Sequence, residues 1–302
     1  MQTATARKSF PPGTVVVAHD AGAANLIAAW AGVWEAKPVS VVLSGPASRI
    51  LEHLGVPELP MEHALAHASF VVTGTGWMTD SEHRARLFAS ANAIPSAAVV
   101  DRPFNVRERF VRRGVQQLPS EFWVVDDSSS EAVAEMAPGI PIIKLENAYE
   151  DSVVERVRAL SDRGPMGRPG KNVLFLSEPV RGLTKAREEP AEFRALRYLV
   201  EHMEQLTCGS TTSLSIRLHP AESPFRYSSI AGELGMDVRV VNQEVEPLED
   251  SLAWADIVAG ISSSTMRIAY QSGKRVVCCL PPELAGFVPD EFAYERLSRV
   301  VG

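Results

Sequence analysis

Short apolar runs recur along the chain, and each closes in a polar or glycine-bearing exit before an amphipathic stretch begins. Thr14-Val-Val-Val-Ala, Val39-Ser-Val-Val-Leu, Phe70-Val-Val-Thr, Ala97-Ala-Val-Val and Phe122-Trp-Val-Val are too short to be buried helices and rich in β-branched residues, which predicts strands covered on both faces. The stretches between them carry helical patterns. One runs through Leu26, Ile27 and Trp30; another spans 80–93, with Asp80 or Ser81 as its N-cap and Glu82 in its first turn. A third opens on Asp126-Asp-Ser-Ser-Ser-Glu, where capping accounts for both acidic residues without a metal. Ile140-Pro-Ile-Ile closes the series as a short strand that Pro141 places at an edge. This alternation predicts βαβ units in a parallel sheet with right-handed crossovers.

The pattern then breaks and restarts. A charged helix over 152–162 gives way to Gly164-Pro-Met-Gly-Arg-Pro-Gly, the densest Gly and Pro stretch in the chain, which places a domain boundary between 1–163 and 164–302. Asn172-Val-Leu-Phe-Leu begins a second set of strands, followed by a long helix over 190–206, Leu214-Ser-Ile-Arg-Leu, Asp237-Val-Arg-Val-Val, a short helix over 247–253, the run Asp256-Ile-Val, and Arg275-Val-Val-Cys-Cys-Leu as the last strand. The expected fold is α/β, with two Rossmann-like domains facing across a cleft.

Ligands of such sheets lie beyond the carboxyl ends of the strands, so the strand exits nominate the chemistry. In the first half, three exits share one edge: His19 and Asp20 with Gly22, then Gly74-Thr75-Gly76-Trp77, then Asp101 with Arg102 and Asn105. A carboxylate aimed into a crevice is what a general base for a sugar or alcohol hydroxyl requires. Asp20 is the first candidate and Asp101 the second, although Asp20 also suits a helix cap and Asp101 a surface pair with Arg102 or Arg107. In the second half, Gly260 precedes Ser262, Ser263, Ser264 and Thr265 at a strand-to-helix junction. Free N–H groups, hydroxyls and the helix dipole there favour an anion. His219, fixed by Pro220, stands at another exit of the same sheet, as do Ser177 and Glu222, and together they suggest a site for a nucleotide phosphate.

Composition narrows the classes. The chain has 302 residues, 45% hydrophobic and 22% charged, which is globular material sufficient for two domains. A net charge of −7 argues against broad nucleic-acid binding. No apolar run reaches membrane-span length, and the first residues lack a signal-peptide core; a cytoplasmic protein is expected, with room for peripheral membrane association. Cys208, Cys278 and Cys279 form no disulfide or metal-ligand spacing, and Cys278 and Cys279 read as small core residues.

His219-Pro220 with the turn Ser262 to Thr265 resembles the pair of motifs by which bacterial sialyltransferases and capsule-polymer transferases of the GT-B superfamily hold a nucleotide. Gly74-Thr-Gly-Trp with Asp101-Arg-Pro-Phe-Asn-Val-Arg-Glu-Arg-Phe is similar to a pattern in proteins of polysaccharide loci. The resemblance implies that His219, Ser262 and Ser263 hold the donor's phosphate, supported by Ser264 and Thr265, and that the other domain supplies the base. It also implies a metal-independent glycosyltransferase, whose partners are a nucleotide-sugar donor and a hydroxyl acceptor, with no further cofactor. The acidic-acidic-Gly base motif of several sialyltransferase families is absent, since Asp126-Asp127 precedes Ser128. The alternatives are a non-hydrolysing sugar-nucleotide 2-epimerase, whose His-x-Glu-Ala-Gly pattern is missing at Asp101, and a non-catalytic nucleotide-sugar-binding protein.

Overall fold

The computed structural model describes residues 8–162, 171–180, 188–210, 212–220, 222–287 and 294–301. Two compact units emerge, Met1–Tyr149 and Glu150–Gly302.

In the first unit the apolar runs form β1 (Thr14–Ala18), β2 (Ser40–Leu43), β3 (Phe70–Thr73), β4 (Ser96–Val100), β5 (Glu121–Val124) and β6 (Ile142–Lys144). They make one sheet in the order β2-β1-β3-β4-β5-β6, parallel throughout. The β-branched runs suit this position because both faces are covered; all five residues of β1 are buried. Helix α1 (Ala21–Val33) leaves the end of β1, and helix α2 (Ser81–Ala91) follows β3. Trp30 of α1 and Trp34, the C-cap of that helix, stack at 5.4 Å, Trp123 of β5 meets Trp30 edge-on at 5.8 Å, and Trp30 Nε1 donates to Glu146 O at 2.9 Å. Proline at position 141 is accommodated as expected, since β6 is an edge strand. A small antiparallel hairpin, Val111–Arg112 with Val115–Gln116, lies outside the sheet and has no counterpart in the sequence reading.

The second unit holds β7 (Lys171–Leu176), β8 (Thr212–Arg217), β9 (Val238–Val241), β10 (Ile257–Gly260), β11 (Arg275–Cys278) and β12 (Glu295–Arg296). Their order is β9-β8-β7-β10-β11-β12, again parallel. The expectation that Arg275 begins the last strand is corrected by β12, a two-residue edge strand too short to carry a periodic signal. The helix expected over 190–206 is also interrupted: Ala191–Glu201 and Met203–Leu206 are separate, with His202 between them at φ −111°.

The segment in which the sequence placed the domain boundary, 163–170, lies outside the described residues. The two compact units divide earlier, before most of the helix Ala148–Ser161. Contacts explain its allegiance: Glu150 takes both Nε and Nη2 of Arg267 at 2.8 and 2.6 Å, and Arg156 pairs with Glu249 at 2.7 Å. Gly and Pro density marks where a chain turns, whereas side-chain contacts decide which core a helix joins.

Candidate functional site

Each sheet reverses its strand order once, between β1 and β3 in the first unit and between β7 and β10 in the second. Such reversals open a crevice at the carboxyl ends of the strands. His19, Asp20 and the Gly74 to Trp77 exit lie at the first reversal and Glu178 and the serine turn at the second, with Asp101 and His219 each one strand away.

In the first unit the three expected exits do come together. Asp20 is the N-cap of α1, its Oδ1 accepting from the Ala23 N–H at 3.2 Å, so the capping role foreseen for it is real. Asp101, at the end of β4, leans over the start of the same helix: a Cβ added to Gly22 would stand 2.0 Å from Asp101 Oδ2. The pairing anticipated for Asp101 with Arg102 is present, and a closer partner joins it. Arg109 Nη1 binds Asp101 Oδ1 at 2.8 Å from a largely buried position, and Arg102 makes a looser contact at 3.5 Å. Arg109 also donates to Thr75 Oγ1 at 3.2 Å, while that hydroxyl donates to Val99 O at 3.1 Å. Thr75 is thereby committed to the frame that holds Asp101. Gly74 and Gly76 are buried beside it, whereas Trp77 is 57% exposed and Asn105 is exposed in a left-handed conformation with φ 52°. His19 pairs its Nδ1 with Ser44 Oγ at 3.0 Å, and burial lowers its pKa.

Two residues of α2 complete this cluster. Glu82 is fully buried; its Oε1 accepts the His19 N–H at 3.1 Å. Arg86, one turn further on and equally buried, donates from Nη1 to Thr73 Oγ1 and Gly74 O at 2.9 and 3.1 Å and lies over the Phe110 ring at 4.9 Å. Burial first, then the Asp101 charge, pushes the Asp20 carboxyl up to about 6, against the opposing pull of the Ala23 N–H, Arg109 and Arg102. Burial, then the Asp20 charge, pushes Glu82 up to about 8 despite Arg86. Among the described residues Asp20 forms no ion pair, while Asp101 is locked by Arg109. No group of three or more His, Cys, Asp or Glu side chains among the described residues is placed to hold a metal ion; the carboxylates are interleaved with arginines instead.

In the second unit, Ser263 caps the helix Ser264–Gln271, accepting the Thr265 N–H at 3.3 Å. Ser262 offers both its N–H and its hydroxyl to Glu178 Oε2, each at 3.1 Å. A carboxylate from the end of β7 therefore sits on the serine turn, the kind of group that such a turn attracts. Ser264 is exposed and Thr265 half-buried. The turn is braced from below, where the buried thiols of Cys278 and Cys279 donate to Ile261 O and Gly260 O at 3.3 Å. His219 leaves β8, with β7 lying between it and the serine turn. Its N–H donates to Glu222 Oε2 at 3.0 Å, and Glu222 N–H returns a bond to His219 O at 2.8 Å. The same Glu222 oxygen accepts Ser177 Oγ at 2.5 Å, and Ser177 Oγ also meets the Tyr227 hydroxyl. The Glu222 side chain is 1% exposed. Glu222 and Ser177 thus shape the His219-Pro220 turn from beneath, while Pro220 is exposed.

Four residues of these clusters escaped the sequence reading as site residues: Glu82, Arg86, Arg109 and Glu178. Glu82 was visible only as a first-turn acid of a helix. Arg86 and Arg109 belong to an arginine-rich stretch that reads as a solvated surface, and Glu178 simply follows Ser177 in a loop.

No protein-family model matches the chain, and no curated protein sequence matches it. Solved structures do. The UDP-GlcNAc 2-epimerase of Neisseria meningitidis, bound to UDP-GlcNAc, shares 14% identity over 95% of this chain and 89% of its own, with a TM-score of 0.59. The UDP-GlcNAc 2-epimerase of Methanocaldococcus jannaschii shares 13% over 88% of this chain and 83% of its own, at 0.55. A putative UDP-N-acetylglucosamine 2-epimerase of Listeria monocytogenes shares 14% over 88% and 78%, at 0.53. At these identities the likeness is one of fold. It spans both units and agrees with the two parallel-sheet domains of the GT-B type.

Proposed function

We propose that the protein is an enzyme of nucleotide-linked sugars, and that it transfers the sugar from its nucleotide to a hydroxyl acceptor without a metal. The observation that carries this reading is Asp20. Its carboxyl has no ion-pair partner among the described residues, sits at the reversal of the first sheet, and is held up at about 6. At neutral pH such a group is mostly ionised, yet basic enough to take a proton from a hydroxyl in the transition state. Asp101, bound by Arg109, orients and charges the site rather than accepting the proton.

The donor's phosphate belongs to the second unit in this reading. The N–H groups of the serine turn and the imidazole of His219 supply donors for the charge that develops on the departing phosphate. The resemblance to sialyltransferase and capsule-polysaccharide motifs supports that assignment. Glu178 holds the Ser262 donors, so a phosphate bound there takes its place. A place in polysaccharide or glycoconjugate synthesis follows from the resemblance; no described helix is long and apolar enough to cross a membrane.

A second reading, epimerisation at the sugar's C2, is favoured by the convergence of Asp20, Glu82 and Asp101, since that reaction needs several carboxylates around the ring, and by the substrate named for the similar structures. One experiment separates them. Incubated with UDP-N-acetylhexosamine and no acceptor, a transferase leaves the sugar unchanged and an epimerase alters it. Calorimetry with CMP, UDP and GDP tests the shared premise: His219→Ala and Ser263→Ala are expected to weaken nucleotide binding about tenfold or more, Glu178→Gln to strengthen it, and unchanged affinity in all three overturns the phosphate site.

A further inference from the structure

An acid in the first turn of a helix ordinarily points to water, where it favours the helix dipole. Glu82 does the opposite and is fully buried beneath the turn Gly74 to Gly76. Only one of its oxygens is satisfied. Oε1 accepts the His19 N–H, whereas Oε2 is buried without a hydrogen bond of ordinary geometry, and the nearby Gly76 N–H offsets only part of what burial costs the charged form. The missing side chain of Gly76 shows what Oε2 faces. A Cβ built there would lie 3.0 Å from Glu82 Oε2 and 3.1 Å from Asp20 Oδ2, so the sum of those two distances is the most that can separate the oxygens. Glycine leaves that gap open; any other residue would fill it.

The charges around the pair do not neutralise both carboxylates. Asp20 faces Asp101 and, beyond it, Arg109 and Arg102. Glu82 faces Arg86 on its own helix, but Arg86 directs Nη1 to Thr73 and Gly74 and Nε to Gln117 O. Arg112 binds Gly76 O at 2.7 Å, and His83, next to Glu82, is buried with Nδ1 unpartnered. Two carboxylates this close, removed from water and with no ion pair to either among the described residues, cannot both ionise cheaply.

We propose that Asp20 and Glu82 form an acid pair that holds one proton in the resting protein, Glu82 keeping it and Asp20 exchanging with the substrate. The proposal rests on the reading of Asp20 as the proton acceptor. Glu82 touches no substrate and is a positioning residue: neutral, it spares Asp20 a second negative neighbour. During transfer the acceptor O–H bond breaks as an Asp20 O–H bond forms, the acceptor oxygen bonds to the sugar's anomeric carbon, and that carbon's bond to the phosphate oxygen breaks with its electrons leaving on the nucleotide. The pair passes from one proton to two, and Asp20 then releases its proton to water. The order of ionisation agrees, with Asp20 near 6 and Glu82 near 8.

The test is a carbon-13 NMR titration of side-chain carboxyls in the ligand-free protein, in the parent, Glu82→Gln and Asp20→Asn. In the parent, Asp20 and Glu82 are both expected to titrate above the ordinary carboxylate range. Glu82→Gln should remove the upper step and leave the lower one. Asp20→Asn should lower the Glu82 step by about one pH unit or more, because the charge opposing its ionisation is gone. A Glu82 carboxyl that titrates in the ordinary range in the parent, or that ignores Asp20→Asn, overturns the pair, and the parent measurement needs no variant to fold. Turnover distinguishes the two ideas: if Asp20→Asn still transfers sugar while the titrations are linked, the base assignment fails and the pair stands. Loss of turnover with unlinked titrations means the reverse.

Discussion

Gly22 shows how tightly single residues are matched around Asp101. It occupies the first turn of α1, where any residue fits the backbone, and only the Asp101 carboxylate prevents a side chain there. Gly22→Ala should push that carboxylate away from Arg109 and destabilise the protein by about 2–3 kcal/mol. Removing the obstruction as well, in Gly22→Ala with Asp101→Ala, should cost less than the two single changes added together, with a coupling of about 1 kcal/mol or more by urea denaturation. Strict additivity would mean that the two residues do not compete for space. The sequence exposed the polar residues at the strand exits, because an exit is a local pattern. It did not expose Glu82 or Arg109, because burial of a charge depends on what packs over it. Glu82 looks like any first-turn acid until β1 and the Gly74 to Gly76 turn cover it.

Elements were legible where a periodic signal ran for several residues against a clear stop. The Val-rich strands and the capped helices meet that condition, and the acidic start at Asp126 behaves as its cap chemistry dictates: Asp126 Oδ1 accepts the Ser129 N–H at 2.6 Å, while Asp127 reaches out to Lys144. Asp126→Ala should therefore cost about 1 kcal/mol. Asp127→Ala should cost far less, since its ion pair is largely solvent-exposed. Thermal or urea unfolding of the two variants checks this, and equal losses would argue that the acidic pair has a role other than capping. Illegible elements lacked either length or contrast. Strand β12 has two residues, and the break at His202 falls inside a stretch whose apolar residues, Leu196, Leu199, Met203 and Leu206, are buried on both sides of it.

For the molecule as a whole, two parallel sheets were readable because alternation of strand and helix repeats along nearly the full chain, and that repetition survives at the low identities of the similar structures. The balance of charge inside the first unit was not, and it has a consequence for overall stability. Asp20 and Glu82 both ionise at a higher pH when folded than when unfolded. Between those limits the folded chain binds more protons than the unfolded chain, so their contribution is greatest in acid and is lost as pH rises from about 4 to about 8. The loss is about 1.4 kcal/mol for each pH unit by which folded and unfolded ionisation differ, making Glu82 the larger share. Glu82→Gln carries the amide in place of the protonated acid and cannot ionise. Its stability relative to the parent should accordingly rise between about pH 5 and about pH 8, measured by urea denaturation at each pH. Parallel curves for the two proteins would mean that Glu82 ionises at the same pH whether the chain is folded or not, and that a buried carboxyl under Gly76 finds a compensating partner after all.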